Sequence, residues 1–364
     1  WFALNRFAHM AYPTVVMVSP LSRELSPFDP QWSAPQLQEH LVRALRGSGP
    51  ALSTVEIPQK EIDARFALVV RTSGSTGAPK SVALTGTALL ANARATHHFL
   101  GAQPGDRWSL LLPTTHIAGI NVLIRSIELG TAPSLSIHES ADFTAIVPTQ
   151  LFKALHGDVA FLNHLKACKR VLVGGGALDA NLRKQAEDEG ISVVESYGMT
   201  ETCGGVIYDG TALEGVKVRI TEGRIELSGT QIDAEYLNGE IDVHDGWFRT
   251  NDLGELRDGK VLIHGRIDDQ IVTGGMKVSL SAVENFLRKE FPSIEVVAFS
   301  KQDPEWGQRL CLATTSPIAM ESVSQSLKNK FGSHVSPKEI HTVDVIPYLS
   351  IGKPDRKKLE HDYA

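Results

Sequence analysis

Apolar and polar positions divide the chain into stretches of different texture. Residues 35–46 place Leu37, Leu41 and Leu45 at four-residue spacing and stop at Gly47, which predicts an amphipathic helix. From 66 to about 205, short apolar runs alternate with helical patterns. Runs at 66–70, 108–112, 145–148, 170–173 and 191–195 predict buried strands. Stretches 84–100 and 178–189 predict helices, the first stopped by Gly101. Such alternation predicts a parallel or mixed α/β sheet with sites at strand ends. From about 210 to 265 the pattern becomes strand-like. Residues 216–220 and 224–227 flank Glu222 and Gly223, and residues 255–257 and 260–263 flank Asp258 and Gly259. Both read as hairpins, giving a β-meander or small barrel. After 268 a smaller α+β pattern follows: helix 281–289, strands 294–299 and 310–314, helix 320–331 and strand 339–345. Residues 1–65 carry little other recognisable chemistry.

Composition narrows the classes. A length of 364 residues suits two or three domains with ample core. The net charge of −6 argues against a broad nucleic-acid or anionic-membrane surface. No apolar run is long enough to span a bilayer. The run at 11–18 is short, contains Pro13 and lacks a cleavage pattern, so no signal peptide is expected. Cys168, Cys203 and Cys311 are isolated and lack metal spacing, which fits the reducing cytoplasm.

The chemistry concentrates in six stretches. Residues 72–82 read TSGSTGAPKSV between a predicted strand and a predicted helix. That order presents backbone N–H groups and a helix N-terminus to a phosphate, with hydroxyls from Ser73, Ser75 and Thr76 and a charge from Lys80. The stretch nearly matches G-x-x-x-x-G-K-[ST] from Gly74 to Ser81, but Pro79 replaces the second glycine. Proline fixes φ and removes a donor, so this reads as a phosphate loop but not that of a P-loop NTPase. The plain alternative is an ordinary Ser/Gly turn. Gly174, Gly175 and Gly176 end a strand, where a flat ring can approach the backbone or the chain can simply turn. Residues 195–205 read ESYGMTETCGG: Tyr197 offers an aromatic face, Thr200 a hydroxyl and Glu201 a hard oxygen ligand suited to magnesium. Residues 246–254, GWFRTNDLG, carry Asp252, either a ribose acceptor or a turn carboxylate. Residues 265–277, GRIDDQIVTGGMK, carry Arg266 and, at the junction with the last pattern, Asp268. Residues 347–356, PYLSIGKPDR, carry Lys353 between Gly352 and Pro354, on an exposed loop.

Together and in this order, the six stretches resemble the adenylate-forming superfamily of acyl-CoA synthetases, firefly-type luciferases and peptide-synthetase adenylation domains. The resemblance covers about residues 66–356. It implies an α/β fold with a large N-terminal domain (1–267) that includes a β-barrel-like subdomain (about 210–265). A small mobile α+β C-terminal domain (268–364) would turn about Asp268. It also implies roles. Thr72, Ser73, Gly74, Ser75, Thr76, Gly77 and Lys80 would hold the ATP phosphates. Gly174, Gly175 and Gly176 with Ser196, Tyr197 and Gly198 would form the adenine site. Glu201 would ligate Mg2+ beside Thr200, Asp252 and Arg266 would hold ribose, and Lys353 would touch the carboxylate and α-phosphate.

Residues 111–130, LLPTTHIAGINVLIRSIELG, and 147–155, VPTQLFKAL, resemble the o-succinylbenzoate–CoA ligases of menaquinone biosynthesis, especially their short actinobacterial forms. That implies an acyl pocket lined by His116, Gly119 and Arg125, with His116 close to the chemistry and CoA as co-substrate. A core histidine and a structural ion pair are the alternatives for His116 and Arg125. Ser81, Asn251, Tyr348 and the pair Val272 and Thr273 depart from the superfamily's usual residues. Another acyl- or aryl-CoA ligase, a carrier-loading adenylation module and a non-catalytic nucleotide-binding protein remain open. The expected partners are a small carboxylic acid, ATP and CoA, with no nucleic acid or membrane insertion. The resemblance admits a homodimer.

Overall fold

The structure, a computed structural model, describes residues 21–72, 80–273, 275–292, 294–332, 334–349 and 354–363. These form four sheets with helices packed against them, the α/β architecture that the hydrophobic pattern predicts.

The first sheet has the order β14-β5-β4-β2-β1-β3. Its strands are β1 (Ser22–Pro27), β2 (Ala51–Ser53), β3 (Glu61–Asp63), β4 (Phe66–Thr72), β5 (Lys80–Thr85) and, from far along the chain, β14 (Ala234–Tyr236). Helices α1 (Ala34–Leu45), α2 (Gly86–Leu100) and α3 (Ile117–Leu129) share a core with it that includes Leu41, Leu68, Leu84, Leu89 and Ile120. Helix α1 begins where the Ser33 N–H donates to the Gln36 side chain at 2.9 Å.

One predicted boundary moves here. The helix expected from residue 84 starts at Gly86, and residues 80–85 form a strand before it. Strand β5 pairs antiparallel with β4, from Phe66 opposite Thr85 to Thr72 opposite Lys80. Val82, Ala83 and Leu84 are fully buried, and an apolar run this short satisfies either a strand or a helix pattern. The helix starts one residue after Thr85, whose hydroxyl accepts from the Ala88 N–H at 3.2 Å. The 73–79 loop therefore joins two strands of a hairpin. The N-terminus of α2 follows the C-terminal end of β5.

The second sheet runs β11-β10-β9-β8-β7-β6. Strands β6 (Trp108–Ser109), β7 (Phe143–Ile146), β8 (Arg170–Gly174) and β9 (Val193–Met199) are parallel. Strands β10 (Gly204–Tyr208) and β11 (Thr211–Ala212) extend it antiparallel. Helices α4 (Pro148–Leu155), α5 (Val159–Ala167) and α6 (Ala180–Asp188) accompany it. Pro148 opens α4 rather than ending a strand, as suits its fixed φ.

Both predicted hairpins form in the third sheet. It contains β12 (Val216–Thr221), β13 (Arg224–Gly229), β15 (Val243–His244), β16 (Trp247–Arg257) and β17 (Lys260–Arg266). Their turns place Glu222 and Gly223, then Asp258 and Gly259, at φ of 51, 76, 50 and 73°, the left-handed pairs that match strand twist.

The fourth sheet holds β18 (Gln270–Thr273), β19 (Met276–Ser279), β20 (Val296–Asp303), β21 (Gly307–Thr314) and β22 (Glu339–Thr342). Helices α7 (Leu280–Glu290) and α8 (Met320–Phe331) contribute Val283, Leu287, Val323 and Leu327 to its core, and α9 (Arg356–Asp362) contributes Leu359. Arg356 ties α9 down. Its guanidinium pairs with Asp269 at 2.9 Å and Glu284 at 2.7 Å, and donates to the Ala298 carbonyl at 2.8 Å. Burial opposes its charge, but the two carboxylates prevail and raise its pKa.

Removing one member of a buried pair strands the other's charge. Arg356→Ala is expected to destabilise the protein by about 3–5 kcal/mol, measured by urea unfolding. Amide exchange should accelerate in β20 and β21 before it does in β8 and β9.

Candidate functional site

The turn from β9 to β10 is built by close backbone contact. A Cβ on Gly198 would lie 2.0 Å from the Gly204 carbonyl oxygen, so no other residue fits without moving β10. Two buried asparagines fasten this turn. Asn121 on α3 donates to the Cys203 carbonyl at 2.8 Å, and Asn92 on α2 donates to the Gly205 carbonyl at 2.8 Å. Thr202 donates to the Gly204 carbonyl at 2.7 Å and accepts from the Met199 N–H at 3.0 Å. Thr200 and Glu201 ride the 3₁₀ turn Thr200–Thr202 between the strands.

Two polar clusters flank this turn. In one, the Tyr197 hydroxyl donates to Asp252 Oδ2 at 2.7 Å. Asp252 and Arg266 stand opposite each other on β16 and β17, and Arg266 approaches Asp252 Oδ1 at 3.4 Å. Arg266 also forks onto Asp268, at 2.7 and 2.8 Å. Asp252 is thus a buried residue within a strand, not a turn carboxylate. Burial, reinforced by the neighbouring Asp252 charge, pushes the Tyr197 phenol well above its usual pKa and keeps it a donor.

In the other cluster, the Tyr236 hydroxyl donates to Glu201 Oε1 at 2.6 Å, and the Lys80 ammonium lies 4.3 Å from the centre of the Tyr236 ring. The strand end beyond the loop and the turn that carries Glu201 therefore meet across one aromatic side chain. Thr72 donates weakly to the Lys80 carbonyl at 3.4 Å. Ser73, Gly74, Ser75, Thr76, Gly77 and Lys353 lie outside the described residues.

Gly174 pairs with Ser196 across β8 and β9, and a Cβ on Gly174 would meet the Ser196 carbonyl at 3.0 Å. Gly175 adopts φ of 78°. Gly175 and Gly176 are exposed at the end of the strand. For a metal, the donors are few. Among the described residues no group of three or more His, Cys, Asp and Glu side chains could hold an ion. A single half-buried carboxylate such as Glu201 still fits magnesium, which binds through one or two carboxylates, waters and substrate phosphates.

The residues expected at an acyl pocket all belong to α3. His116 caps its start in extended conformation, and burial lowers its pKa, favouring the neutral ring. Gly119 is required by packing, since a Cβ there would lie 2.3 Å from the Pro113 carbonyl. Arg125 is only 3% exposed. Its guanidinium lies 4.9 Å from the centre of the Trp108 ring and donates to the Tyr208 hydroxyl at 3.2 Å, while Nε finds no partner among the described residues. Among the described residues the ion-pair alternative for Arg125 therefore has no carboxylate. Trp108 in turn donates to His97 Nε2 at 3.3 Å.

Sequence reasoning missed Asn92, Asn121 and Tyr236. The two asparagines interrupt otherwise apolar helix stretches, and that is a readable signal. Tyr236 lies in a three-residue strand with none.

Residues 23–243 match the family described as AMP-binding enzyme. The chain belongs to that family. A "Probable 2-succinylbenzoate--CoA ligase" of Mycobacterium tuberculosis is 36% identical over 364 aligned positions, 89% of this chain and 94% of the relative. Among solved structures, E. coli MenE with a bound m-phenylether-linked analogue of OSB-AMS superposes with a TM-score of 0.68 at 25% identity, covering 93% of this chain and 81% of that one. The o-succinylbenzoate coenzyme A synthetase of Bacillus subtilis, in complex with ATP and magnesium ion, gives 0.71 at 21% identity, over 92% and 83%. This last likeness speaks for the fold. Among the described residues no helix is long and apolar enough to cross a membrane.

The buried His97 makes the surroundings of Arg125 sensitive to acid. Burial, and then the Arg125 charge, push its pKa from 6.5 down to about 4. The unfolded chain binds this proton at a higher pH than the folded one, so stability is complete above pH 6.5 and falls as pH drops toward 4. The loss is expected to approach about 3 kcal/mol. His97→Asn should flatten the dependence in denaturant melts between these pH values.

Proposed function

We propose that this chain joins 2-succinylbenzoate to CoA at the expense of ATP, through an acyl-adenylate, in menaquinone biosynthesis. The enzyme is an acid–thiol ligase. The observation that carries this reading beyond family membership is the 36% identity to the mycobacterial ligase over nearly the whole of both chains. The two polar clusters on either side of the β9–β10 turn support it, because they suit the two ends of a nucleotide.

The chemistry follows from what a carboxylate lacks. It is anionic and has no good leaving group. Its oxygen attacks the ATP α-phosphate, pyrophosphate leaves, and the acyl carbon then carries AMP. The CoA thiol attacks that carbon and AMP departs. Magnesium, when bound with ATP, supplies charge neutralisation at the phosphates; Glu201 is the side chain we assign to hold it. Asp252 accepts ribose hydroxyls, Arg266 steadies them, and Tyr197 with Gly174, Gly175 and Gly176 borders adenine. Thr200 lies beside Glu201, and His116 at the start of α3 faces the acyl group.

We assign the β- and γ-phosphates to residues 73–80, which link β4 to β5 in sequence. We assign residues 1–267 to a large domain and 268–364 to a small one that turns at Asp268. The self-contained sheet and core of residues 270–342 support that division. Three buried free cysteines favour the reducing cytoplasm. CoA and a small dicarboxylic acid are the partners, and a homodimer is compatible with this reading.

The test is CoA-dependent AMP formation across a panel of carboxylic acids. 2-Succinylbenzoate should outcompete benzoate, acetate and fatty acids. A fatty acid as best substrate would leave the ligase class standing and remove the acyl assignment. Arg125→Ala should raise KM for the dicarboxylic acid much more than for benzoate, because only the former has a second carboxylate.

Lys353 tests the domain movement. Removing a charge from a developing anion costs about 10²–10³ in rate. Lys353→Ala should cost this much in acyl-adenylate formation, with ATP binding retained and turnover of preformed acyl-adenylate by CoA nearly intact. Equal losses in both half-reactions would make the lysine a general binding residue.

A further inference from the structure

Tyr236 lies at the end of β14, the three-residue edge strand that completes the first sheet against β5. Its backbone belongs to the strand ladder, opposite Val82. Its partly buried side chain packs against the core of the first sheet and also makes two polar contacts. The ring carries the Lys80 ammonium at 4.3 Å, and the hydroxyl donates to Glu201 Oε1 at 2.6 Å. A phenylalanine would fill the same space and hold the same strand.

We propose that Tyr236 is a positioning residue of the nucleotide site: its hydroxyl sets the Glu201 carboxylate, and its ring seats the Lys80 ammonium without letting the two charges pair. The inference rests on the adenylation reading above, which gives Glu201 to magnesium and Lys80 to phosphate.

The physical case is one of competing partners. Lys80 and Glu201 have opposite charges and share one neighbour. A direct ion pair would satisfy both, and each would then have to break it before meeting phosphate or metal. A neutral phenol between them avoids that cost. The ring face attracts the ammonium without discharging it. The hydroxyl gives Glu201 one hydrogen bond, at Oε1, and orients it. Groups that orient a metal ligand from behind affect metal affinity when removed.

The experiment is calorimetric titration of the intact protein with ATP, first with excess Mg2+ and then with EDTA. Neither the carboxylic acid nor CoA is present. The wild-type protein should bind ATP more tightly with the metal. Tyr236→Phe should lose about 10- to 100-fold of that metal-dependent gain and bind ATP in EDTA as the wild type does. Tyr236→Leu, which also removes the ring under Lys80, should weaken binding under both conditions. In a Glu201→Gln background Tyr236→Phe should have no further effect, whereas a merely structural role would give additive losses.

A full metal-dependent gain in Tyr236→Phe would overturn the proposal. So would additive losses, or no gain from Mg2+ in the wild-type protein. The outcomes separate from those of the ligase reading. Normal coupling in Tyr236→Phe with intact 2-succinylbenzoate turnover removes only the role of Tyr236. Lost coupling in a protein that ignores 2-succinylbenzoate removes only the substrate.

Discussion

The arrangement depends on Arg266 being paired from two sides. Burial works against its charge, while the hydrogen bonds to Asp268 and the charges of Asp252 and Asp268 more than restore it. Each partner comes from a different part of the fold. Asp252 stands on β16, directly across from Arg266, and its other oxygen is held by Tyr197 from the parallel sheet. Asp268 stands in the 3₁₀ turn that leads into the fourth sheet. One guanidinium thereby links the second sheet, the third sheet and the entry to the fourth. A half-buried cation needs such partners, because losing one leaves an uncompensated charge. Whatever occupies Asp252 must share that carboxylate with Arg266 and Tyr197. A neutral polyol can add its hydroxyls to such a group without breaking either contact.

Much of this was legible in the sequence, and the exceptions have local causes. Arg170, Val171, Leu172 and Val173 read as a buried strand because a parallel strand covered on both faces needs little else. The two hairpins announced themselves through Glu222-Gly223 and Asp258-Gly259, where only certain residues tolerate left-handed φ. The helix expected from residue 84 begins two residues later because residues 82–84, three apolar positions, suit a strand as well as a helix. What decided them was pairing with Leu68, Val69 and Val70, a contact across a loop. For Asp252 the sequence left a turn carboxylate open as the plain alternative to a ribose acceptor. In the sheet, Gly254 permits the Leu262 carbonyl to come within 2.6 Å of where its Cβ would stand. Strands β2, β3 and β14, of three residues each, show no periodicity at all.

The candidate site residues were easier to find than their contacts. Glu201, Asp252 and Arg266 stand out by type and order. Their partners Tyr236 and Tyr197 come from distant strands, and a sequence does not say which strand edges meet. The short β14 shows this most clearly. It leaves the third sheet's run of chain to pair with β5, and only that excursion brings Tyr236 between Lys80 and Glu201.

Arg125 and Arg356 show how differently one fold treats a buried and a partly buried guanidinium group. Arg356 has two carboxylates and a carbonyl, and it reads as a structural tie. Arg125 is more deeply buried and, among the described residues, meets no carboxylate. It has a phenol, an indole face and a histidine kept neutral by burial and by the cation itself. Burial lowers its pKa, as expected of a cation short of anions. Stability alone would favour a leucine there, since apolar replacements of buried charges are commonly neutral or stabilising. A cation held at this cost, surrounded by neutral groups that each stop short of discharging it, is suited to an anion that arrives from outside the chain. The second carboxylate of a dicarboxylic acid is such an anion, and a monocarboxylate engaged with ATP has none to offer.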